Sequence, residues 1–207
     1  MQINKEHEFE RKPMYATQED FIKHFNSKGE KMISAADIYT AAKQENKGII
    51  ESLKQDFKDS YVITSTRIIY NKDNLNADII HDANSTIAKP KTLNQVKIPV
   101  LDGEVGHDVD IEAYLQSLFD TKDSINEIMR VLKRFDNERK LYLWTPSQSS
   151  RANKQVRCVS LCFSDLGRFD VFGDGWFIYV GLSRGVIVES KKQNHKTKGM
   201  HNENLTT

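Results

Sequence analysis

The chain has little of several residue types, and each scarcity excludes a class of protein. Only two of its 207 residues are cysteines, which is too few for a disulfide-stabilised secreted scaffold. Cys158 and Cys162 stand in the strand-like run VRCVSLCF. In a strand that spacing puts their Cα atoms about 13 Å apart, too far for a disulfide bond. We therefore expect buried, reduced thiols and a cytoplasmic protein.

The chain also lacks an excess of charge of one sign and any long apolar run. Its 30 basic and 29 acidic residues give a formal net charge of +1. This balance excludes a strongly basic DNA-binding domain but is compatible with a local basic patch. No apolar run approaches the roughly 20 residues that span a bilayer, and residues 1–12 lack the apolar core of a secretory signal. We expect no membrane partner.

The order of the remaining patterns predicts one domain of the α+β class. Residues 1–13 are charged and end in a proline, so we expect a flexible arm, and residues 191–207 are a polar tail with little to bury. The predicted domain, residues 14–190, is helical over 17–59, mixed over 60–138 and β-rich over 140–190. We expect about five helices packed on an antiparallel-rich sheet that lies mostly in the C-terminal half.

Three of the predicted helices begin with a capping signal, a hydroxyl residue followed three positions later by an acid. The pairs are Thr17 with Asp20, Ser34 with Asp37, and Ser124 with Glu127. The second and third helices, within residues 34–59, are joined by a short polar turn and could form a helix-turn-helix. The outer face of the later helix mixes Glu51 and Asp59 with its lysines, so we favour packing on a sheet over DNA reading.

Residues 140–190 contain five short β-branched or aromatic runs, KLYLWT, VRCVSLCF, RFDVF, WFIYVGL and GVIVE. We predict consecutive antiparallel strands with turns near Gly167 and near Gly173–Gly175, because glycine tolerates the positive φ of tight turns. The last two strands would form a hairpin whose connection carries Ser183 and Arg184. Upstream, the segment DGEVGHD, residues 102–108, is predicted to be another turn.

A repeated pairing of a hydroxyl residue with arginine suggests an anion-binding site. The pairs are Thr66-Arg67, Ser150-Arg151 and Ser183-Arg184. A guanidinium offers a planar fork of donors to phosphate or carboxylate, and a neighbouring hydroxyl adds another donor. Our candidate anion site is therefore Arg67, Arg151, Arg184 and Ser183, with Trp144 and Trp176 available to stack on bases. The alternative is structural, with Arg184 covering the hairpin end or pairing with an acid such as Asp174.

Two His-Asp pairs offer a different site. His81-Asp82 and His107-Asp108 carry nitrogen and oxygen donors that suit a divalent metal, and a metal-dependent phosphohydrolase could use them. Both pairs lie in predicted loops, and Asp108 is also well placed to cap the helix that follows it. Two cysteines in one strand and separate histidines do not make a closed zinc set. Our first expectation is therefore a protein without metal or cofactor.

Three functions stay open on the sequence. The chain has no glycine-rich phosphate loop and no Gly-x-Ser-x-Gly nucleophile motif, so whether it is an enzyme is undecided. The first hypothesis is a non-enzymatic binding or regulatory protein whose ligand is anionic, either nucleic acid or a phosphorylated small molecule. The alternatives are a metal-dependent phosphohydrolase, which needs both His-Asp pairs around one ion, and a protein-interaction module, which needs an exposed apolar face.

Overall fold

Twelve strands and five helices are present in the computed structural model, which describes residues 2–3, 16–70, 76–145, 155–175, 178–179 and 181–188. The helices are α1 (Gln18–Ser27), α2 (Ala35–Lys43), α3 (Lys47–Asp59), α4 (Val109–Leu118) and α5 (Ile125–Leu132). The strands are β1 (Gln2–Ile3), β2 (Ala16–Thr17), β3 (Lys31–Met32), β4 (Val62–Tyr70), β5 (Asn76–His81), β6 (Lys91–Lys97), β7 (Asp102–Glu104), β8 (Lys140–Trp144), β9 (Gln155–Ser164), β10 (Arg168–Gly175), β11 (Ile178–Tyr179) and β12 (Gly185–Ile187).

The main sheet has seven strands in the order β6-β5-β4-β9-β10-β8-β7. Every neighbouring pair is antiparallel except β8 and β10. Two small sheets have the orders β1-β12-β3 and β11-β2. The predicted α+β class, with five helices and a mostly antiparallel sheet, is confirmed. The sheet is not confined to the C-terminal half, because β4, β5 and β6 supply one side of it.

The local sequence signals at the helix starts are confirmed. Thr17 and Ser34 form capping boxes, in which the hydroxyl accepts from the backbone N–H three residues on and that residue's carboxylate accepts from the N-cap N–H. Ser124 caps α5 by accepting from the backbone N–H of Glu127. Helices α2 and α3 bury Ile38 and Leu53 in the main core, as expected for helices that pack on a sheet.

The predicted run of consecutive antiparallel strands is wrong in its pairing. Strands β9 and β10 do form a hairpin at Gly167, whose φ is 73°. Strand β8, however, pairs in parallel with β10. The turn predicted near Gly173–Gly175 is instead the end of β10. A Cβ at Gly173 would lie 2.3 Å from the Tyr114 hydroxyl oxygen, so this glycine permits a close approach rather than a turn.

Two further turns are corrected by the pairing of distant segments. Asp102–Glu104, read as part of a turn, is the edge strand β7 because it pairs with β8. The predicted hairpin around Arg184 does not form, since β11 pairs with β2 while β12 lies between β1 and β3. Residues 4–13 of the predicted arm, the predicted tail 191–207, Arg151 and Trp176 lie outside the described residues.

Helices cover the two faces of the main sheet unequally. On one face, α2 to α5 form the main core, in which Phe57 and Leu115 meet sheet residues such as Leu143. On the other face, α1 packs against β2, β3 and β4 and shares a smaller cluster with Ile63 and Cys158. On β8 and β10, four larger side chains on this second face stay half-buried: Tyr142, Trp144, Arg168 and Phe172.

Candidate functional site

Arg184, the first residue of the predicted anion site, is buried against α3. Its Nε and Nη2 donate to the two carboxylate oxygens of Asp56 at 2.6 and 2.7 Å, and the two side chains are 9% and 10% exposed. The Ser183 hydroxyl donates to the carbonyl oxygen of Ile63 at 2.8 Å. Both groups therefore fasten residues 181–188 to the rest of the fold. Arg184 thus pairs with an acid inside the fold, as in the structural alternative, but the acid is Asp56 and not Asp174.

Arg67 lies on the face of the main sheet opposite to α3, next to the start of α1. Its neighbour Ile68 belongs to the main core, so the alternation of a strand points Arg67 to the other side. There its Nε donates to Oε1 of Gln18 at 2.6 Å, and its Nη2 lies 3.6 Å from a carboxylate oxygen of Glu19. The structure therefore does not bring Arg67 and Arg184 together.

His81 is buried in a hydrogen-bond network that fixes one tautomer of its ring. The ring Nε2 donates to the carbonyl oxygen of Ser117 at 3.1 Å, since a carbonyl can only accept. Nδ1 then accepts from the Thr66 hydroxyl at 2.9 Å, and that hydroxyl accepts from the backbone N–H of Ala35. Burial lowers the pKa of His81 below its ordinary 6.5. Both ring nitrogens are thus used within the fold.

The two predicted His-Asp pairs lie at opposite ends of α4. His81 bonds Ser117 in the last turn, whereas Asp108 is the N-cap, and His107 beside it is exposed. A ten-residue helix is about 15 Å long, too far for one metal ion to bridge. Among the described residues, no three His, Cys, Asp or Glu side chains gather where they could hold a metal.

Asp82, the fourth residue of the alternative metal set, is an ion-pair partner of Lys31. The Lys31 Nζ lies 3.2 Å from Asp82 and 2.9 Å from Asp37, and the three side chains are 12–14% exposed. Burial raises the pKa of Asp82, and the nearby Lys31 opposes that rise. Since Lys31 is on β3, Asp37 on α2 and Asp82 after β5, the cluster ties three elements together.

The two cysteines are free and buried, as the sequence predicts. Burial raises the pKa of each thiol to about 12. A nucleophilic cysteine needs a thiolate at neutral pH. Cys158 and Cys162 therefore act as packing residues of β9.

Five side chains form a continuous row of contacts on the face of the main sheet opposite the main core. They come from β8, from β10 and from the residue before β4. We call this row the aromatic strip; its members are Tyr61, Tyr142, Trp144, Arg168 and Phe172. The guanidinium carbon of Arg168 lies 4.9 Å from the ring centre of Tyr142 and 5.4 Å from that of Trp144. Trp144 stacks on Phe172 with ring centres 5.8 Å and planes 9° apart. The Phe172 ring in turn meets Tyr61 at 5.5 Å.

Strand register explains why these side chains meet. The parallel pairing sets Trp144 beside Phe172 and Tyr142 beside Asp170. On β9, which lies between β4 and β10, the residues on this face are the small Ser160 and Cys162. Tyr61 can therefore reach Phe172 across β9.

Asp170 lies beneath the strip and orients it. Its side chain is 2% exposed. Its Oδ1 accepts from the indole N–H of Trp144 at 3.0 Å and lies 3.5 Å from Nε of Arg168. Arg168 also donates to the Ser164 hydroxyl at 3.2 Å. A buried carboxylate that contacts both the tryptophan and the arginine fixes their positions before any partner arrives.

The outer edges of the strip are open to solvent. Tyr61 is 38% exposed, the Arg168 side chain is 22% exposed, and Tyr142, Trp144 and Phe172 are half-buried. The Trp144 and Phe172 rings stack on each other, and Arg168 lies over the rings of Trp144 and Tyr142. Phe172 and Tyr61 meet at 67°. The strip therefore presents ring edges, the remaining ring surface and one cation to solvent. This is a pre-ordered, largely apolar strip of residue types that dominate protein-binding hot spots.

Of the five members of the strip, the sequence indicated only Trp144, as a possible stacking residue. A usable signal was present, because Tyr142 and Trp144 alternate with Leu141 and Leu143. The same alternation is seen in the run RFDVF, residues 168–172. It predicts aromatic residues on the face away from the core, but not that β8 and β10 are neighbours.

Comparisons with protein-family models, with curated proteins and with solved structures give no match for this chain. None of the described helices is long and apolar enough to cross a membrane.

Proposed function

We propose that the protein is a non-enzymatic protein-interaction module that binds its partner through the aromatic strip. The observation that carries the proposal is the strip itself, a stack of Tyr, Trp, Phe and Arg side chains held in place by Asp170 with its outer edges in solvent. Pre-ordering lowers the conformational entropy lost on binding. The buried, free thiols support action in a reducing compartment such as the cytoplasm.

The arrangement of the rings favours a protein partner over a nucleic acid. A nucleic-acid base stacks on a free ring face. The Trp144 ring is already contacted by Arg168 and by Phe172. These two residues lie on the same face of β10, one on each side of Asp170. Arg168 covers one face of the Tyr142 ring. A protein surface can instead pack on the exposed ring edges by ordinary apolar contact.

The charges around the strip also favour a protein partner. Arg168 is already close to the carboxylate of Asp170, and the exposed Lys140 is bonded to Glu104 at 2.8 Å. Neither cation is available without breaking a contact. Arg67 and Arg184 are likewise engaged with Glu19 and Asp56, so the first hypothesis, an anionic ligand, has less support among the described residues.

The proposal is tested with a phage-displayed library of ten-residue peptides panned on the wild-type protein. One selected peptide is then labelled, and its affinity is measured by fluorescence anisotropy for the wild type and for Trp144→Ala. We expect a loss of about 2 kcal/mol or more, roughly 30-fold in Kd, as for a hot-spot tryptophan. Arg168→Lys, which keeps the charge and loses the planar stack, should give a smaller loss.

Leu166→Ala is the matched control, because Leu166 is an apolar residue that is 75% exposed and is not a member of the strip. It should bind the peptide like the wild type, and circular dichroism should show that all variants are folded. Binding that is equal in the wild type and Trp144→Ala contradicts the proposal. Trp144-dependent binding of a labelled single-stranded oligonucleotide, with no such peptide, supports the anionic ligand instead.

A further inference from the structure

The main sheet ends, within the described residues, at a short strand that borders the aromatic strip. Strand β7 pairs with β8 on one side only. The Thr145 N–H donates to the Leu101 carbonyl at 3.0 Å, and the Val105 N–H donates to the Leu141 carbonyl at 2.9 Å. In an antiparallel pair, hydrogen-bonded positions alternate with positions whose backbone groups point away. The N–H and C=O groups of Asp102 and Glu104 therefore point to the open edge.

The opposite edge of the sheet is protected against strand addition, and β7 is not protected in the same way. Strand β6 carries Lys91 and Lys97 at its two ends, each paired with an acid. Its Gln95 has a φ of 60°, and its pairing with β5 is irregular. Terminal lysines and an irregular strand are common devices that prevent edge pairing. Strand β7 has a regular register but is only three residues long and carries two acids. A short, charged edge discourages pairing with a second acidic strand, whereas a strand of opposite charge can still add to it.

The side chains of β7 give the open edge a negative charge. Asp102 is paired with Trp144 and Glu104 with Tyr142 in the strand register, so both carboxylates lie on the face of the aromatic strip. Both residues are exposed. Asp102 is also close enough to help raise the pKa of Asp174. Near them, Lys140 contacts one carboxylate oxygen of Glu104, Oε2, at 2.8 Å. A basic partner at Glu104 therefore replaces this exposed contact or uses the other oxygen, whereas Asp102 is the carboxylate nearer to Trp144.

We propose that the partner supplies an extended basic segment that adds to β7 as a strand and lays its arginine or lysine side chains beside Asp102 and Glu104. This inference rests on the proposed function, because residues flanking that strand would pack on the aromatic strip. Main-chain bonds supply the affinity of strand addition, and side chains on alternate positions supply its specificity. Opposite charges on neighbouring strands select a basic over an acidic segment.

The first experiment uses a fluorescently labelled ten-residue peptide that alternates arginine and threonine, acetylated and amidated at its ends. Its matched control has glutamate in place of every arginine. We expect the arginine peptide to bind the wild-type protein and the glutamate peptide not to bind. In the double variant Asp102→Asn and Glu104→Gln, which keeps side-chain shape and removes both charges, affinity should fall about 5- to 10-fold. Leu166→Ala should bind normally.

The second measurement distinguishes strand addition from simple charge attraction. Amide hydrogen exchange is followed by NMR with and without the arginine peptide. The amides of Asp102 and Glu104 should exchange at least tenfold more slowly in the complex, because their N–H groups become bonded. The amide of Gly103, which points toward β8, should change little and serves as the internal control.

Four results separate this inference from the proposed function. Failure of the arginine peptide to bind at about 1 mM, or binding without protection of the Asp102 and Glu104 amides, overturns the inference. If the peptides selected by phage display need Trp144 for binding but are acidic or uncharged, the inference is overturned and the proposed function stays in place. If no peptide depends on Trp144, the proposed function is overturned as well.

Discussion

Removal of Arg184 should destabilise the fold strongly, because it leaves the buried carboxylate of Asp56 without its cation. Both oxygens of that carboxylate accept from Arg184, at 2.6 and 2.7 Å, in a site where the side chains are 9% and 10% exposed. Breaking a buried ion pair by deleting one partner typically costs about 3–5 kcal/mol. For Arg184→Ala we expect a loss in this range in the free energy of unfolding.

The magnitude is measured by urea unfolding followed by circular dichroism. A domain of this size loses roughly 2–4 °C in Tm for each kcal/mol, so Arg184→Ala should lower the Tm by about 6–20 °C. Asp56→Ala should be similarly destabilised. The double variant Arg184→Ala with Asp56→Ala should be less destabilised than the sum of the single variants, because it removes the uncompensated charge as well.

A free energy of unfolding for Arg184→Ala within about 1 kcal/mol of the wild type would contradict a stabilising role for this ion pair. Losses of the two single variants that add in the double variant would contradict it as well. Arg184→Lys is the informative intermediate. It keeps a charge but cannot donate to both oxygens from a planar fork, so its stability should lie between those of the wild type and Arg184→Ala.

Three other predictions follow from buried groups. The pKa of His81 in the folded protein lies below its ordinary 6.5, so the neutral ring favours the folded state. This stabilisation is complete above about pH 6.5 and is lost progressively as the pH falls toward the folded pKa. Urea midpoints measured across that range should fall more steeply for the wild type than for His81→Gln. Gly173→Ala should lower the free energy of thermal unfolding by about 1–3 kcal/mol, because the new Cβ would lie 2.3 Å from the Tyr114 hydroxyl oxygen. Gly106→Ala is the control and should lose less, because a Cβ there meets no atom within 4 Å. The two buried thiols, with a pKa of about 12, should react with a thiol reagent only on unfolding; rapid reaction in the native protein would contradict their burial.

The elements that the sequence determined are those controlled by near neighbours. A capping box needs only residues three positions apart, so Thr17 and Ser34 correctly predicted the starts of α1 and α2. Apolar spacing identified the five helices, because it reflects which side of a helix is buried. β-Branched and aromatic runs identified the long strands, because these residue types favour the extended backbone. Burial of the cysteines could be read in the same way, from the apolar strand that contains them.

Pairing between distant segments was decided only in the tertiary structure. Asp102–Glu104 has no strand signal of its own and is a strand because β8 lies beside it. The partner of Arg184 is Asp56, 128 residues away, and no local pattern selects it among 29 acidic residues. The aromatic strip exists because β8 pairs in parallel with β10. Register and neighbour choice depend on how all the helices and strands bury their apolar faces together, which is a property of the whole fold and not of any short stretch of sequence.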